Sequence, residues 1–224
     1  MKLKTSLLFP IVSFLLSGSI IAQAQTDETQ SASAEELAKK LANPVASLIS
    51  VPFQNNFEFN VGPFEGFKYV LNVQPVIPVS LNENWNMISR TIVPIISQSD
   101  VTSNNSSETG LGDIVQSVFF SPKEAKNGFV WGVGPVLLLP TATDDALGLK
   151  KWGAGPNVLV LKLKGQWTYG ALANHLWSYA GSGLNDINAT FFQPFATYAT
   201  KSGASITIAS ENTQDWDNDF FGGF

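Results

Sequence analysis

From Trp167 to Tyr179 the sequence alternates without a break. Trp167, Tyr169, Ala171, Ala173, His175, Trp177 and Tyr179 share one face of an extended strand, and Thr168, Gly170, Leu172, Asn174, Leu176 and Ser178 share the other. Between Trp167 and Trp177 such a strand rises roughly 33 Å. Tilted by about 40°, it projects to roughly 25 Å, the height of the apolar band between the aromatic girdles of an outer-membrane barrel. Aromatic residues at both ends of an otherwise small, apolar face, backed by a face of Thr, Gly, Asn, Ser and Leu, predict a membrane strand with a narrow, partly polar interior. Two copies of one pattern precede it, Trp131-Gly132-Val133-Gly134-Pro135 and Trp152-Gly153-Ala154-Gly155-Pro156. Each reads as a strand, with the aromatic residues Trp131, Trp152, Trp167, Trp177 and Tyr179 as girdle candidates. The glycines are not a phosphate loop, because no helix follows; small inward side chains that leave room in a lumen account for them.

The start of the chain predicts export. Lys2 and Lys4, an apolar run from Leu7 to Ile21, and Ala22-Gln23-Ala24 make a secretory leader over residues 1–24. No later segment reaches the ~20 apolar residues a spanning helix needs, so only a barrel could cross a bilayer. Charged residues are 14% of the 224, few for a soluble surface of this size. The net charge of −5 becomes more negative once Lys2 and Lys4 leave, which argues against a nucleic-acid partner. There is no cysteine, which excludes disulfides, thiolate metal sites and cysteine nucleophiles.

Residues 25–44 read as a periplasmic lead-in, with a capping box at Ser33-Ala34-Glu35-Glu36 opening a short helix that ends before Pro44. Residues 45–224 read as an all-β, antiparallel transmembrane barrel of about nine or ten strands. The expected strands are 45–54, 67–80, 85–97, 113–121, 128–140, 152–163, 166–178, 188–200 and 204–212. Short turns (Leu81 to Asn84, Pro122 to Asn127, Lys164-Gly165, Lys201 to Gly203) alternate with long connections (Asn55 to Gly66, Gln98 to Gly112, Thr141 to Lys151, Tyr179 to Ile187). That alternation belongs to membrane barrels and not to sandwiches. The long connections are acidic and the short turns basic, which predicts an acidic outer side of solvated loops in a barrel surrounded by outer-membrane lipid; bridging to lipopolysaccharide phosphates through divalent cations is the weaker reading. Pro75, Pro78, Pro94, Pro135, Pro156 and Pro194 lie inside expected strands and each demands a bulge or an edge. An odd strand count leaves the chain outside at Asn212, so truncation of a larger barrel is expected; the alternative is that the stretch after Asn212 forms a poor final strand ending in Phe224.

The segments Leu41–Gln54, Leu71–Pro78 and Trp85–Pro94, followed by Gly110-Leu111-Gly112-Asp113, Trp131 to Thr143, Lys151 to Pro156 and Glu211-Asn212-Thr213, carry a resemblance that covers most of the exported chain. They resemble bacterial outer-membrane proteins labelled "transporter" or "neuromedin U", related to the barrels of the phenol-degradation meta-pathway family. The resemblance implies a barrel protein without cofactor or chemistry that passes a small, apolar or aromatic molecule. Family members usually continue for several strands beyond the equivalent of Asn212.

Among polar strand residues, Asn72, Gln74, Arg90, Asn157 and Asn174 are the candidates to line the interior. Arg90 is the sharpest, since a guanidinium facing lipid costs ~2–4 kcal/mol at mid-depth. Facing inward, it either pairs with an acid, the stronger reading, or biases a pore toward anions. His175, the only histidine, could serve a lipid hydrolase with Ser178 or Asn174, but those two residues point to the opposite face. Asp144-Asp145 with Asp113 or Asp186 could hold a metal; solvated loop carboxylates are the plainer account. The alternative to a channel is a sealed structural barrel whose acidic loops meet a partner.

Overall fold

The structure, a computed structural model, describes residues 48–200, 204–217 and 220–223. The leader and the Ser33 capping-box helix lie outside the described residues. Among the described residues thirteen strands, β1 to β13 in chain order, form one antiparallel sheet: β1 (Phe53–Val61), β2 (Gly66–Val73), β3 (Val76–Ser80), β4 (Trp85–Ser99), β5 (Ser107–Leu111), β6 (Ile114–Pro122), β7 (Phe129–Leu139), β8 (Lys151–Lys164), β9 (Trp167–Gly181), β10 (Asn188–Ala199), β11 (Ser205–Ala209), β12 (Asn212–Asp215) and β13 (Phe220–Gly223). The sheet curls into a half-barrel, and there is no helix among the described residues.

Three pairs of strands are halves of longer ones. β2 and β3 lie end to end along one side of β4, β5 and β6 along its other side, and β11 and β12 along β10. Of the six prolines inside expected strands, all but one sit at a strand break or beside a gap in a ladder. Pro75 separates β2 from β3, and Pro94 faces the gap between the β5 pairing at Ile95–Leu111 and the β6 pairing at Ile92–Val115. Pro194 faces the gap between Phe195–Ala209 and Phe192–Asn212. Pro135 and Pro156 pair with each other, and each also meets an interrupted ladder on its far side. A proline has no N–H to give a ladder, so the ladder opens there. Its carbonyl is recaptured: Thr91 donates to Pro75, Gly112 to Pro94 and Ser210 to Pro194, at 2.9–3.1 Å. Pro78 is the exception, in β3, whose side away from β4 is paired only at Ser50–Val76 among the described residues.

The two glycines that precede these prolines have a different reason from the one expected. A Cβ on Gly134 would overlap the carbonyl oxygen of Val118, and one on Gly155 the carbonyl oxygen of His175. Neighbouring backbone, rather than lumen space, excludes a side chain at both positions.

The first strand needs correction. It is centred on Phe53–Val61 and not on 45–54, so most of the expected long connection from Asn55 to Gly66 is a hairpin closed by residues 62–65. Asn60, Gly62 and Glu65 supply its positive φ angles, and Phe57–Tyr69 and Phe59–Phe67 stack across it at ring distances of 5.1 and 5.2 Å. The connections 100–106, 140–150 and 182–187 lie at the same end of the sheet as this hairpin, and 81–84, 123–128 and 165–166 at the other. Length therefore alternates less regularly than expected. The charge division is also softer: Lys150 and Lys151 join the acids of the long-loop end, and Glu83 and Glu124 join the lysines of the short-turn end.

One of those long-end lysines gives a pH signature. Lys151 meets Asp186 at 2.8 Å, and Ser178 donates to the same carboxylate oxygen at 3.2 Å. The Lys151 hydrogen bond and charge, then the Ser178 hydroxyl, hold Asp186 below the ordinary carboxylate range. A pKa lowered by folding contributes stability above the unfolded value and loses it as pH falls through the folded one. Asp186→Asn should therefore be less stable than the wild type at pH 7, with the difference disappearing in acid, as read by urea unfolding across pH.

Alternation along each strand separates two faces. The buried set Ile88, Phe119, Val130, Leu159, Leu161 and Leu172, with Val76, fills the concave side toward the short turns. A smaller cluster of Val70, Ile96 and Leu147 closes the long-loop end, where residues 140–150 fold over the sheet. Asp113 organises that loop by accepting the Ala142 and Leu149 N–H groups at 3.1 and 2.6 Å.

Candidate functional site

Between the two apolar clusters the concave side is polar. Gln54, Asn72, Gln74, Arg90, Asn174, Gln193 and Glu211 line a cavity of about 280 Å³, and Ile92, Val115, Leu172, Leu176 and Phe191 complete its wall. The polar groups come from strands far apart in sequence. They meet because each occupies an inward position near a mid-strand break, and because the curl brings β1 toward the β11–β12 junction.

A directed chain of hydrogen bonds crosses this wall. Arg90 donates to Gln74 Oε1 at 2.6 Å, Gln74 Nε2 to Gln54 Oε1 at 2.7 Å, and Gln54 Nε2 to Glu211 Oε1 at 3.1 Å. Gln193 donates to the same Glu211 oxygen at 2.8 Å. A guanidinium can only donate and an ionised carboxylate can only accept, so the two charged ends fix the orientation of both carboxamides. Arg90 thus reaches its acid through two glutamines. That arrangement lies between the direct pairing and the unpaired pore cation weighed above.

The five interior candidates fall as follows. Asn72, Gln74, Arg90 and Asn174 line the cavity, while Asn157 sits across the β8–β9 ladder from Asn174, only 2% exposed. Neither carboxamide atom of Asn157 finds a hydrogen-bond partner among the described residues. Sequence reasoning missed Gln54, Gln193 and Glu211. The first two could have been found by the same alternation, since Gln193 lies between inward Phe191 and Phe195. Glu211 follows Ser210 at a break in the strand, where alternation gives no signal.

The convex face carries the aromatic candidates. All six tryptophans occupy positions opposite the buried set. Toward the short turns, Trp85 meets Trp131 edge-on at 5.7 Å and Trp167 meets Tyr198 at 5.0 Å. Toward the long loops lie Trp152, Trp177, Tyr179 and Trp216, the last three at least half exposed. Exposed Val133, Val158, Val160 and Phe192 occupy the band between the rows. Gln116 on this face donates to Ser89 at 2.9 Å and accepts from Thr91 at 2.6 Å.

His175 belongs to this outer face. Its ring lies 4.0 Å from that of Trp177, and Nδ1 is 2.7 Å from the Thr190 hydroxyl, which also accepts from Trp216 Nε1 at 2.8 Å. Ser178 is turned to Asp186 and the Ile187 N–H, and Asn174 to the cavity, so neither forms a dyad with His175. The loop acids are engaged separately as well. Asp144 accepts the Ala146 N–H at 2.8 Å, and Asp145 pairs with Lys150 at 2.5 Å. No group of three or more potential ligands is placed to hold a metal among the described residues.

The fold and this cavity define an all-β protein, a curled antiparallel half-barrel around an amide-rich interior. No family model, curated protein or solved structure matches the chain.

Proposed function

We propose that this chain belongs to an outer-membrane barrel that takes a small, apolar or aromatic molecule into its interior for passive passage. The observation that carries the membrane assignment is the convex face: an exposed apolar band bordered by two rows of Trp and Tyr. Contiguous apolar surface of this extent is disfavoured in water and is the normal exterior of a barrel in lipid. The family resemblance supplies the solute class. A second reading, a sealed structural barrel, draws support from the packed cluster around Ile88, Phe119 and Leu159, each 0% exposed, which fills the short-turn half of the interior.

Flux separates the two readings. Reconstituted into liposomes, the full-length protein is expected to accelerate equilibration of benzamide across the bilayer. It should carry no steady ionic current, because the apolar cluster offers ions no hydrated path. Absence of any accelerated flux would leave the sealed barrel as the account.

A further inference from the structure

We propose that the cavity is a binding site for a small neutral amphiphile, a single-ring body whose head both donates and accepts hydrogen bonds, as a carboxamide or hydroxyl does. Charge is the first argument. The wall carries one cation and one carboxylate, Arg90 and Glu211, joined through Gln74 and Gln54. Their charges cancel within one hydrogen-bonded chain, so an anion drawn to Arg90 brings a second negative charge near Glu211. A cation drawn to Glu211 meets Arg90 in the same way, and in a poorly solvated interior either excess is costly.

The lining carboxamides supply the second argument, independent of the first. Asn72 and Asn174 both line the cavity, and each carries a donor at Nδ2 and an acceptor at Oδ1. A head that both donates and accepts suits such a pair. A carboxylate only accepts and an ammonium only donates; a carboxamide or hydroxyl does both. Size fits the body: a cavity of ~150 Å³ holds benzene, and here about 280 Å³ is bounded on one side by Leu176 and Phe191. This deepens the passage reading by naming the solute class, and rests on it only for how the solute reaches the cavity.

The test is equilibrium dialysis of the full-length protein in detergent micelles against radiolabelled benzamide, benzoate and benzylammonium, corrected for empty micelles. Benzamide is expected to bind at least about tenfold more tightly than either ion. Glu211→Gln leaves Arg90 unbalanced and should shift the benzamide-to-benzoate preference toward benzoate by about tenfold. Asn174→Leu, which leaves both charges in place, should weaken benzamide alone. Benzoate binding as tightly as benzamide, or no probe binding to protein that circular dichroism finds folded, overturns the proposal. Should Glu211→Gln not fold, equal binding of benzamide by Asn174→Leu and wild type would overturn it as well. Benzamide binding without any accelerated benzamide flux would overturn the passage reading and leave the site standing.

Discussion

Gly155→Val is expected to prevent stable folding, with a loss of roughly 3 kcal/mol or more. The added side chain would occupy the position of the His175 carbonyl oxygen, which belongs to the adjacent strand and cannot rotate away as a side chain could. β8 would have to leave β9 at the point where the Pro156 ladder is already open, and β8 pairs along most of its length with β7 on one side and β9 on the other. Gly165→Ala is the matched control. Gly165 sits in the tight β8–β9 turn at φ 61 with nothing near its missing Cβ. Only the left-handed backbone is then penalised, at about 1 kcal/mol. Urea unfolding followed by tryptophan fluorescence should separate the two variants clearly. Similar losses for both would mean that the close backbone approach is not what requires glycine at 155.

The second large effect belongs to the convex face. Val158 points outward from the middle of β8, 40% exposed, between Val133 of β7 and Ala173 of β9. If that face meets lipid, Val158→Arg costs ~2–4 kcal/mol at mid-depth, whereas Tyr179→Arg at the rim costs only ~0–1 kcal/mol. In water an outward arginine at either position would change stability by roughly 0.5 kcal/mol or less. Refolding equilibria in phospholipid vesicles give both numbers. The depth dependence is the discriminating quantity, since no feature of a water-exposed sheet would rank these two positions so far apart.

The parts of this fold that could be read from the sequence are those set by period two alone. The alternation from Trp167 to Tyr179 placed β9 on both of its faces, and it put Asn72, Gln74, Arg90 and Asn174 on the concave side, where the cavity lies. What could not be read depends on neighbours. Asn55, Asn56, Asn60, Gly62 and Pro63 look like a loop one residue at a time, yet the Phe57–Tyr69 and Phe59–Phe67 stacks hold most of that stretch as a hairpin. The prolines pose a difficulty that is resolved collectively: a neighbouring strand breaks beside Pro94 and Pro194, and Pro135 and Pro156 share one open stretch of ladder. Glu211 was invisible because its importance lies in reaching Gln54 from the other end of the chain, and only the curl of the sheet brings the two together.

The membrane assignment of the convex face is the claim on which the functional account turns, and lipid quenching of tryptophan tests it most directly. All six tryptophans lie on that face, so the intrinsic fluorescence of the protein reports it without labelling. In vesicles of brominated phospholipid the emission should be strongly quenched, most by bromines placed near the interface, while aqueous acrylamide quenches little. Emission that acrylamide quenches freely and brominated lipid leaves unchanged would contradict the account, because the aromatic rows would then face water.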